Sequence, residues 1–73
     1  MIYGLSVDIF EESIGEEYPV VTHVFYGKTK KEVLQYYKAH LKTDSFFRGC
    51  LESNNYKGIR CWSRTGWIKS RKG

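Results

Sequence analysis

The sequence predicts a small α+β domain in which an antiparallel sheet of three to four strands carries one long helix on one face. Three observations lead to this fold class. Apolar and polar residues alternate near the N-terminus, helical periodicity follows a capping signal in the middle of the chain, and alternation returns in the last third. The predicted order is β-β-α-(α)-β-(β), with residues 1–73 in a single domain and 71–73 as a frayed tail.

Two N-terminal strands are predicted over residues 2–11 and 20–26. In the first strand, the apolar side chains at positions 3, 5, 7 and 9 lie on one face, and Gly4, Ser6 and Asp8 lie on the other. The second strand begins after Pro19, which is tolerated at the start of a strand. A polar loop of residues 11–17 joins the two strands, so we expect them to pair in antiparallel orientation.

The middle of the chain predicts a helix that begins at Thr29. Thr29 and Glu32 have the spacing of a capping box, in which each side chain accepts a backbone N–H of the other residue. Apolar residues then recur at helical spacing as far as Leu41. A second capping signal at Thr43-Asp44-Ser45 predicts a break there, followed by a short helix to about residue 52.

The last third predicts one or two further strands. Residues 56–64 alternate, with Ile59 and Cys61 opposite Arg60, Trp62 and Arg64. The Thr65-Gly66 pair is interpreted as a turn into a final short strand over residues 67–70.

Charge is distributed unevenly along the chain. The formal net charge is +4, but residues 1–19 carry five acidic and no basic side chains, whereas residues 56–73 carry six basic and none acidic. Such polarity can attract an anionic partner to one part of a small surface, or it can neutralise itself within the fold.

The compartment is predicted to be cytoplasmic. The first ten residues lack the basic segment of a secretory signal, and no stretch approaches the ~20 apolar residues of a membrane span. We therefore expect no membrane partner, and we expect Cys50 and Cys61 to be reduced thiols in the core.

Nucleotide hydrolysis, metal binding and nucleophilic catalysis have weak support. Gly27-Lys28-Thr29 imitates the end of a phosphate-binding loop, but the motif needs a glycine where Thr22 stands. The cysteines form no C-x-x-C pair, and His23 and His40 each fit a packed position. No catalytic base is positioned beside Cys61. The sequence therefore predicts a non-catalytic protein without metal or cofactor.

The strongest functional signal is a basic, Trp-containing segment at the C-terminal end. Guanidinium and ammonium groups can contact phosphates while indole rings stack on bases, and this combination is typical of single-stranded nucleic-acid binding. The candidate residues are Lys57, Arg60, Trp62, Arg64, Trp67, Lys69 and Arg71, with the helix lysines Lys28, Lys30 and Lys31.

Nucleic acid is the first expected partner and an acidic protein surface the second, since Trp, Tyr and Arg are also enriched at protein interfaces. The first and last strands could also leave a sheet edge open for a homodimer. In size and charge polarity, the chain resembles phage-encoded inhibitors of host machinery, among them anti-CRISPR proteins. This resemblance implies a host protein or ribonucleoprotein as the alternative target.

Overall fold

A computed structural model describes residues 2–69 and confirms the α+β fold class. The predicted frayed tail, including Arg71, lies outside the described residues. The elements in chain order are β1 (Tyr3–Glu11), β2 (Val21–Gly27), α1 (Lys30–Thr43), α2 (Ser45–Arg48), a π-helical segment (Gly49–Ser53), β3 (Asn55–Tyr56) and β4 (Ile59–Lys69).

The four strands form one antiparallel sheet in the order β2-β1-β4-β3. The predicted pairing of the first two strands is confirmed, with Leu5 opposite Phe25 and Val7 opposite His23. The expectation that β1 offers an open edge is wrong, because β1 pairs with β2 on one side and β4 on the other. Among the described residues, the edge strands are β2 and the two-residue β3, and β4 beyond Cys61 pairs with β1 alone.

The core lies between the sheet and the helices. The odd-numbered residues Leu5, Val7 and Ile9 of β1 are buried against the helical layer, as their alternation predicts. Val33 of α1, Phe47 of α2 and the two cysteines complete the buried cluster. The opposite face of the sheet carries no helix of the described chain, and we call it the open face.

The helix start at Thr29 is confirmed, but Glu32 accepts the N–H of Lys28 and not that of Thr29 as the capping box predicted. The Thr29 hydroxyl accepts the Glu32 N–H at 3.1 Å, whereas the Glu32 carboxylate accepts the Lys28 N–H at 2.7 Å. The predicted break is also confirmed, since α1 ends at Thr43 and the Asp44 side chain accepts the Phe47 N–H at 3.0 Å to cap α2.

The last hairpin corrects the predicted turn. The chain turns at Lys57-Gly58, where both residues have positive φ (52° and 85°). The Gly58 N–H donates a hydrogen bond to Asn55 Oδ1 at 3.1 Å. Thr65 and Gly66 instead lie within a continuous β4, opposite Val7 and Ser6 of β1. Pairing with the central strand keeps this segment extended and excludes the turn that its residue types predicted.

The cysteines also depart from expectation. Both are fully buried as predicted, but they form a disulfide that joins the π-helical segment to β4, with Cα atoms 5.1 Å apart. The β3–β4 hairpin reverses the chain between the two cysteines, so thiols 11 residues apart in sequence come into contact. The prediction of free thiols relied on the absence of a secretory signal, which carries no information about this distance.

No helix within residues 2–69 combines the length and the apolar character that crossing a membrane requires.

Candidate functional site: the open face of the sheet

The open face is built by the even-numbered residues of three strands. Directly paired residues share a face, so the register places Phe10 beside Trp62, Asp8 beside Arg64 and Gly4 between Tyr26 and Ile68. This face therefore carries the predicted residues Arg60, Trp62 and Arg64 side by side along β4, as the alternation of the third predicted strand implies.

Phe10, Trp62, Arg60 and Arg64 form what we call the Arg–aromatic cluster. The Phe10 and Trp62 rings are nearly parallel, at 9°, with centroids 6.0 Å apart. The guanidinium carbon of Arg64 lies 5.0 Å from the Phe10 centroid, and that of Arg60 lies 6.0 Å from the Trp62 centroid. These are cation–π distances, so each guanidinium group lies within range of attraction to an aromatic ring.

Burial distinguishes the two rings of this cluster. Phe10 is only 2% exposed although it lies outside the helical core, whereas Trp62 is half-buried. Phe10 thus serves as the packed base of the cluster, and Trp62 presents the accessible aromatic surface.

The acidic loop between β1 and β2 lies against one end of the cluster. A Glu12 carboxylate oxygen is 3.8 Å from a guanidinium nitrogen of Arg60, and both side chains are exposed. Glu12, Gly15 and Glu16 border a shallow cleft of about 440 Å³ with Arg60 and Trp62 on its other side. Part of the acidic segment is therefore an internal counter-charge to the basic strand, although an exposed pair of this kind is weak.

The other end of the open face is apolar. Val24, Tyr26 and Ile68 are 38%, 58% and 44% exposed. The Tyr26 ring covers Gly4, where a Cβ atom would approach it to 3.1 Å. The open face thus joins a cationic, aromatic end to an uncharged apolar end.

The remaining predicted residues lie elsewhere. Trp67 is opposite Leu5 and so lies on the helix-bearing face, where the ammonium group of Lys30 is 5.3 Å from its ring and 5.9 Å from that of Tyr3. Lys57 occupies the β3–β4 turn, with its ammonium group 5.3 Å from the Tyr56 ring.

The last three predicted residues are two lysines at the start of α1 and Lys69, which is described by its backbone pairing. Lys28 and Lys31 are exposed beside the first turn of α1. The backbone of Lys69 pairs with Tyr3. The predicted set is therefore divided between the two faces of the sheet. Arg60, Trp62 and Arg64 are brought together on the open face, and Lys30 meets Trp67 on the helix-bearing face.

Comparison with protein-family models, curated proteins and solved structures finds no match.

A second group of polar side chains lies on the helix-bearing side of the sheet. His23 of β2, His40 of α1 and Asp44 place one donor atom each within 4.8 Å of one another, and we call them the His–Asp cluster. His40 Nε2 is 3.1 Å from Asp44 Oδ2, and the two imidazole centroids are 4.5 Å apart. All three residues are partly exposed.

The pKa values in the His–Asp cluster follow from burial and hydrogen bonding. Burial lowers the pKa of His23 below its ordinary value, the neighbouring His40 lowers it further, and Asp44 opposes both. The pKa of Asp44 is lowered mainly by the hydrogen bond from the Phe47 N–H, with contributions from both histidines. These shifts favour a neutral His23 imidazole beside an ionised Asp44 carboxylate.

Sequence reasoning missed Phe10 and the meeting of the two histidines. The alternation of β1 does place Phe10 on the same face as Asp8, so its position was available from the sequence. His40 and Asp44 have the i, i+4 spacing of helix neighbours, but their contact with His23 depends on how α1 crosses the sheet.

Proposed function

We propose that this protein is a non-catalytic binding module whose open face binds single-stranded nucleic acid. The observation that carries the proposal is the Arg–aromatic cluster, in which two guanidinium groups and an accessible indole are held together on an uncovered sheet face.

Each part of the cluster has a defined task in this proposal. A base stacks on the accessible surface of Trp62, an interaction worth about 1–3 kcal/mol per base. Arg60 and Arg64 contact phosphates on either side, since four residues of strand separate their backbones by roughly 13 Å at about 3.3 Å per residue. Phe10 is buried and supports Trp62 without touching the ligand.

The two arginines attract an anion to this end of the face, but neighbouring carboxylates compete with that anion for them. Glu12 pairs with Arg60 at 3.8 Å, and Asp8 lies opposite Arg64 in the register, its side chain accepting the Thr22 hydroxyl at 2.7 Å. A phosphate that binds the Arg60 guanidinium group therefore competes with the Glu12 carboxylate. Binding is therefore expected to be moderate and to weaken with salt, as bound counterions are released from the nucleic acid.

The test is fluorescence anisotropy of a labelled single-stranded oligonucleotide at two salt concentrations. Trp62→Ala should weaken binding by about 5–150-fold, the range that corresponds to the loss of one stacked base. Arg64→Ala should weaken binding and reduce its salt dependence. Lys38→Ala is the matched control, because it removes an exposed positive charge from α1 on the other side of the sheet.

Two outcomes would contradict the proposal. The first is no binding by the unaltered protein at low salt. The second is equal weakening by Lys38→Ala and Arg64→Ala, which would mean that net charge alone attracts the oligonucleotide.

Two variants that each remove one partner of the Glu12–Arg60 ion pair provide a stricter test. Glu12→Gln and Arg60→Ala both remove the same surface ion pair, so both should have similar, small effects on stability. Their effects on binding should be opposite, because Glu12→Gln frees Arg60 for phosphate whereas Arg60→Ala removes it. Equal effects of the two variants on binding would contradict a phosphate contact by Arg60.

A protein partner is the second candidate, favoured by the exposed apolar end of the same face. Val24, Tyr26 and Ile68 offer the uncharged contact area that protein interfaces use beside Tyr, Trp and Arg. Under this alternative the protein inhibits a host protein or ribonucleoprotein, as phage-encoded inhibitors do, or docks on an acidic protein surface. Tyr26→Ala discriminates between the candidates, since it should abolish capture of a protein partner and leave oligonucleotide binding unchanged.

Both candidates act on intracellular partners, so the cytoplasm is the compartment we propose. A disulfide is unusual in that compartment, where thiol reductants are abundant, and the full burial of Cys50 and Cys61 shields this one from them in the folded state.

A further inference from the structure

The His–Asp cluster has the composition and spacing of a transition-metal site. We propose that His23, His40 and Asp44 bind a divalent transition-metal ion, with Zn²⁺ as the best-suited ion, through two imidazole nitrogens and one carboxylate oxygen. The three ligands come from β2, from the last turn of α1 and from the junction between α1 and α2.

The distances between donor atoms fit a small ion. Tetrahedral zinc with bonds of about 2.0–2.1 Å requires ligand atoms about 3.3 Å apart. His40 Nε2 and Asp44 Oδ2 are already 3.1 Å apart, and no pair of donors is separated by more than 4.8 Å. We therefore expect side-chain rotation of His23 to bring the three donor atoms to this spacing.

Asp44 is oriented for this task by the fold. Its Oδ1 accepts the Phe47 N–H at 3.0 Å, so the carboxylate cannot rotate freely and Oδ2 is directed toward His40. Hydrogen bonds of this kind hold ligating carboxylates in known metal sites. Coordination of the ion through His40 Nε2 would replace the His40–Asp44 hydrogen bond.

The surroundings give the cluster one apolar wall and one open side. The Phe47 ring lies edge-on to both imidazoles, with centroids 4.9 Å from His23 and 4.7 Å from His40, and Phe25 lies 5.6 Å from His40. Aromatic walls fix the imidazole planes and lower the local dielectric constant, which strengthens attraction between the carboxylate and a cation. The partial exposure of all three ligands leaves access for the ion and for water at a fourth position.

The donor set also selects among metals. Imidazole nitrogen suits Zn²⁺, Cu²⁺, Ni²⁺ and Fe²⁺, whereas Mg²⁺ and Ca²⁺ require mainly oxygen ligands in larger number. One carboxylate and two imidazoles therefore predict binding of zinc and no response to magnesium.

A bound ion would join three elements of the fold. It would link the edge strand β2 to α1 and to the start of α2, so binding to the folded state should raise the melting temperature as the free metal concentration rises. This readout does not depend on the open face, which lies on the other side of the sheet.

The experiment uses the full chain without a polyhistidine tag, with the disulfide intact, titrated with ZnCl₂ by calorimetry and by thermal unfolding. MgCl₂ serves as the comparison salt. Zinc should give a saturable one-to-one heat and a rise in melting temperature, and magnesium should give neither. Titration with Co²⁺ should give visible absorption bands of a low-coordinate site.

Two ligand variants and one control test the assignment. Asp44→Asn keeps a side-chain oxygen for the Phe47 N–H and so retains the cap, but it removes the carboxylate ligand. It and His23→Ala should each weaken zinc binding by about 100-fold or more, at the upper end of the range known for supporting residues of metal sites. Glu17→Gln removes an exposed loop carboxylate and should leave zinc binding unchanged.

The proposal is overturned by any of three results. These are no zinc-dependent heat or thermal shift, an unchanged zinc affinity in the folded Asp44→Asn variant, and equal losses in Glu17→Gln and Asp44→Asn. Circular dichroism of each variant shows whether it is folded, and Asp44→Asn decides the question if His23→Ala does not fold.

Discussion

Removing the Cys50–Cys61 disulfide is expected to cost a large part of the stability of this domain. The two cysteines are 11 residues apart in the sequence, and a cross-link that closes a loop of this length lowers the entropy of the unfolded chain by an amount worth about 3 kcal/mol at 25 °C. A chain of this length has a typical unfolding free energy of about 4–11 kcal/mol. Reduction should therefore remove between about a quarter and three quarters of it.

The assay is unfolding in urea and by heat, with and without a phosphine reductant. Reduction should lower the melting temperature by about 12–24 °C, from roughly 4–8 °C per kcal/mol for a domain of this size. The Cys50→Ala/Cys61→Ala variant is the matched control, since it lacks the cross-link and should not respond to reductant. Each single variant already breaks the bond, so the two single losses should sum to more than the loss in the double variant.

Two results would refute this prediction: free thiols detected by alkylation, or unfolding curves that reduction does not change. Alkylation of the denatured, unreduced protein should add no groups to its mass, and the addition of two would show free thiols. Identical unfolding curves of oxidised and reduced protein would show that the cross-link, though present, does not constrain the unfolded chain as the loop length implies.

Three further predictions concern backbone positions. Thr29→Ala should lower stability by about 0.5–2 kcal/mol through loss of the α1 cap and leave oligonucleotide binding unchanged; an unaltered melting temperature would contradict the capping role. Lys57→Asn should raise stability by a few tenths to about 1 kcal/mol, because Asn-Gly suits the two positive φ angles of the turn better than Lys-Gly; calorimetry showing a lower melting temperature would exclude that turn geometry. Gly49→Ala should cost about 1–3 kcal/mol in urea unfolding, since the added Cβ would lie 2.7 Å from the Asn55 carbonyl oxygen; a neutral result would mean that the π-helical segment moves freely.

The parts of the fold that follow from local chemistry were predictable. Alternation placed Leu5, Val7 and Ile9 toward the helices, and the Thr29 and Asp44 caps marked both helix starts. These features depend on residues within a few positions of one another, which is the range over which side-chain spacing and capping hydrogen bonds act.

The parts that depend on distant pairing were not predictable in the same way. Thr65-Gly66 has turn chemistry, and only its pairing with Val7 and Ser6 keeps it extended. That single difference moves Trp67 to the opposite face from Trp62, because each residue of an unbroken strand reverses the side-chain direction. The disulfide, and the contact of His23 with His40 and Asp44, likewise join positions that no local pattern relates.

The candidate site was predicted in part. Arg60, Trp62 and Arg64 share a face because they alternate within one strand, and this was visible from the sequence. The pairing of Glu12 with Arg60 and the support of Trp62 by Phe10 require the β1–β4 register, which the sequence leaves open.

The central place of β1 in the sheet has a consequence for synthesis on the ribosome. Of the described strands, β1 is made first, but β4, one of its two neighbours, is made last. Only the β1–β2 hairpin can form early, and an isolated two-stranded hairpin is marginally stable in water. One edge of β1 therefore stays unpaired in the nascent chain until residue 69 has left the exit tunnel. During that interval, pairing of this edge with another nascent chain competes with folding.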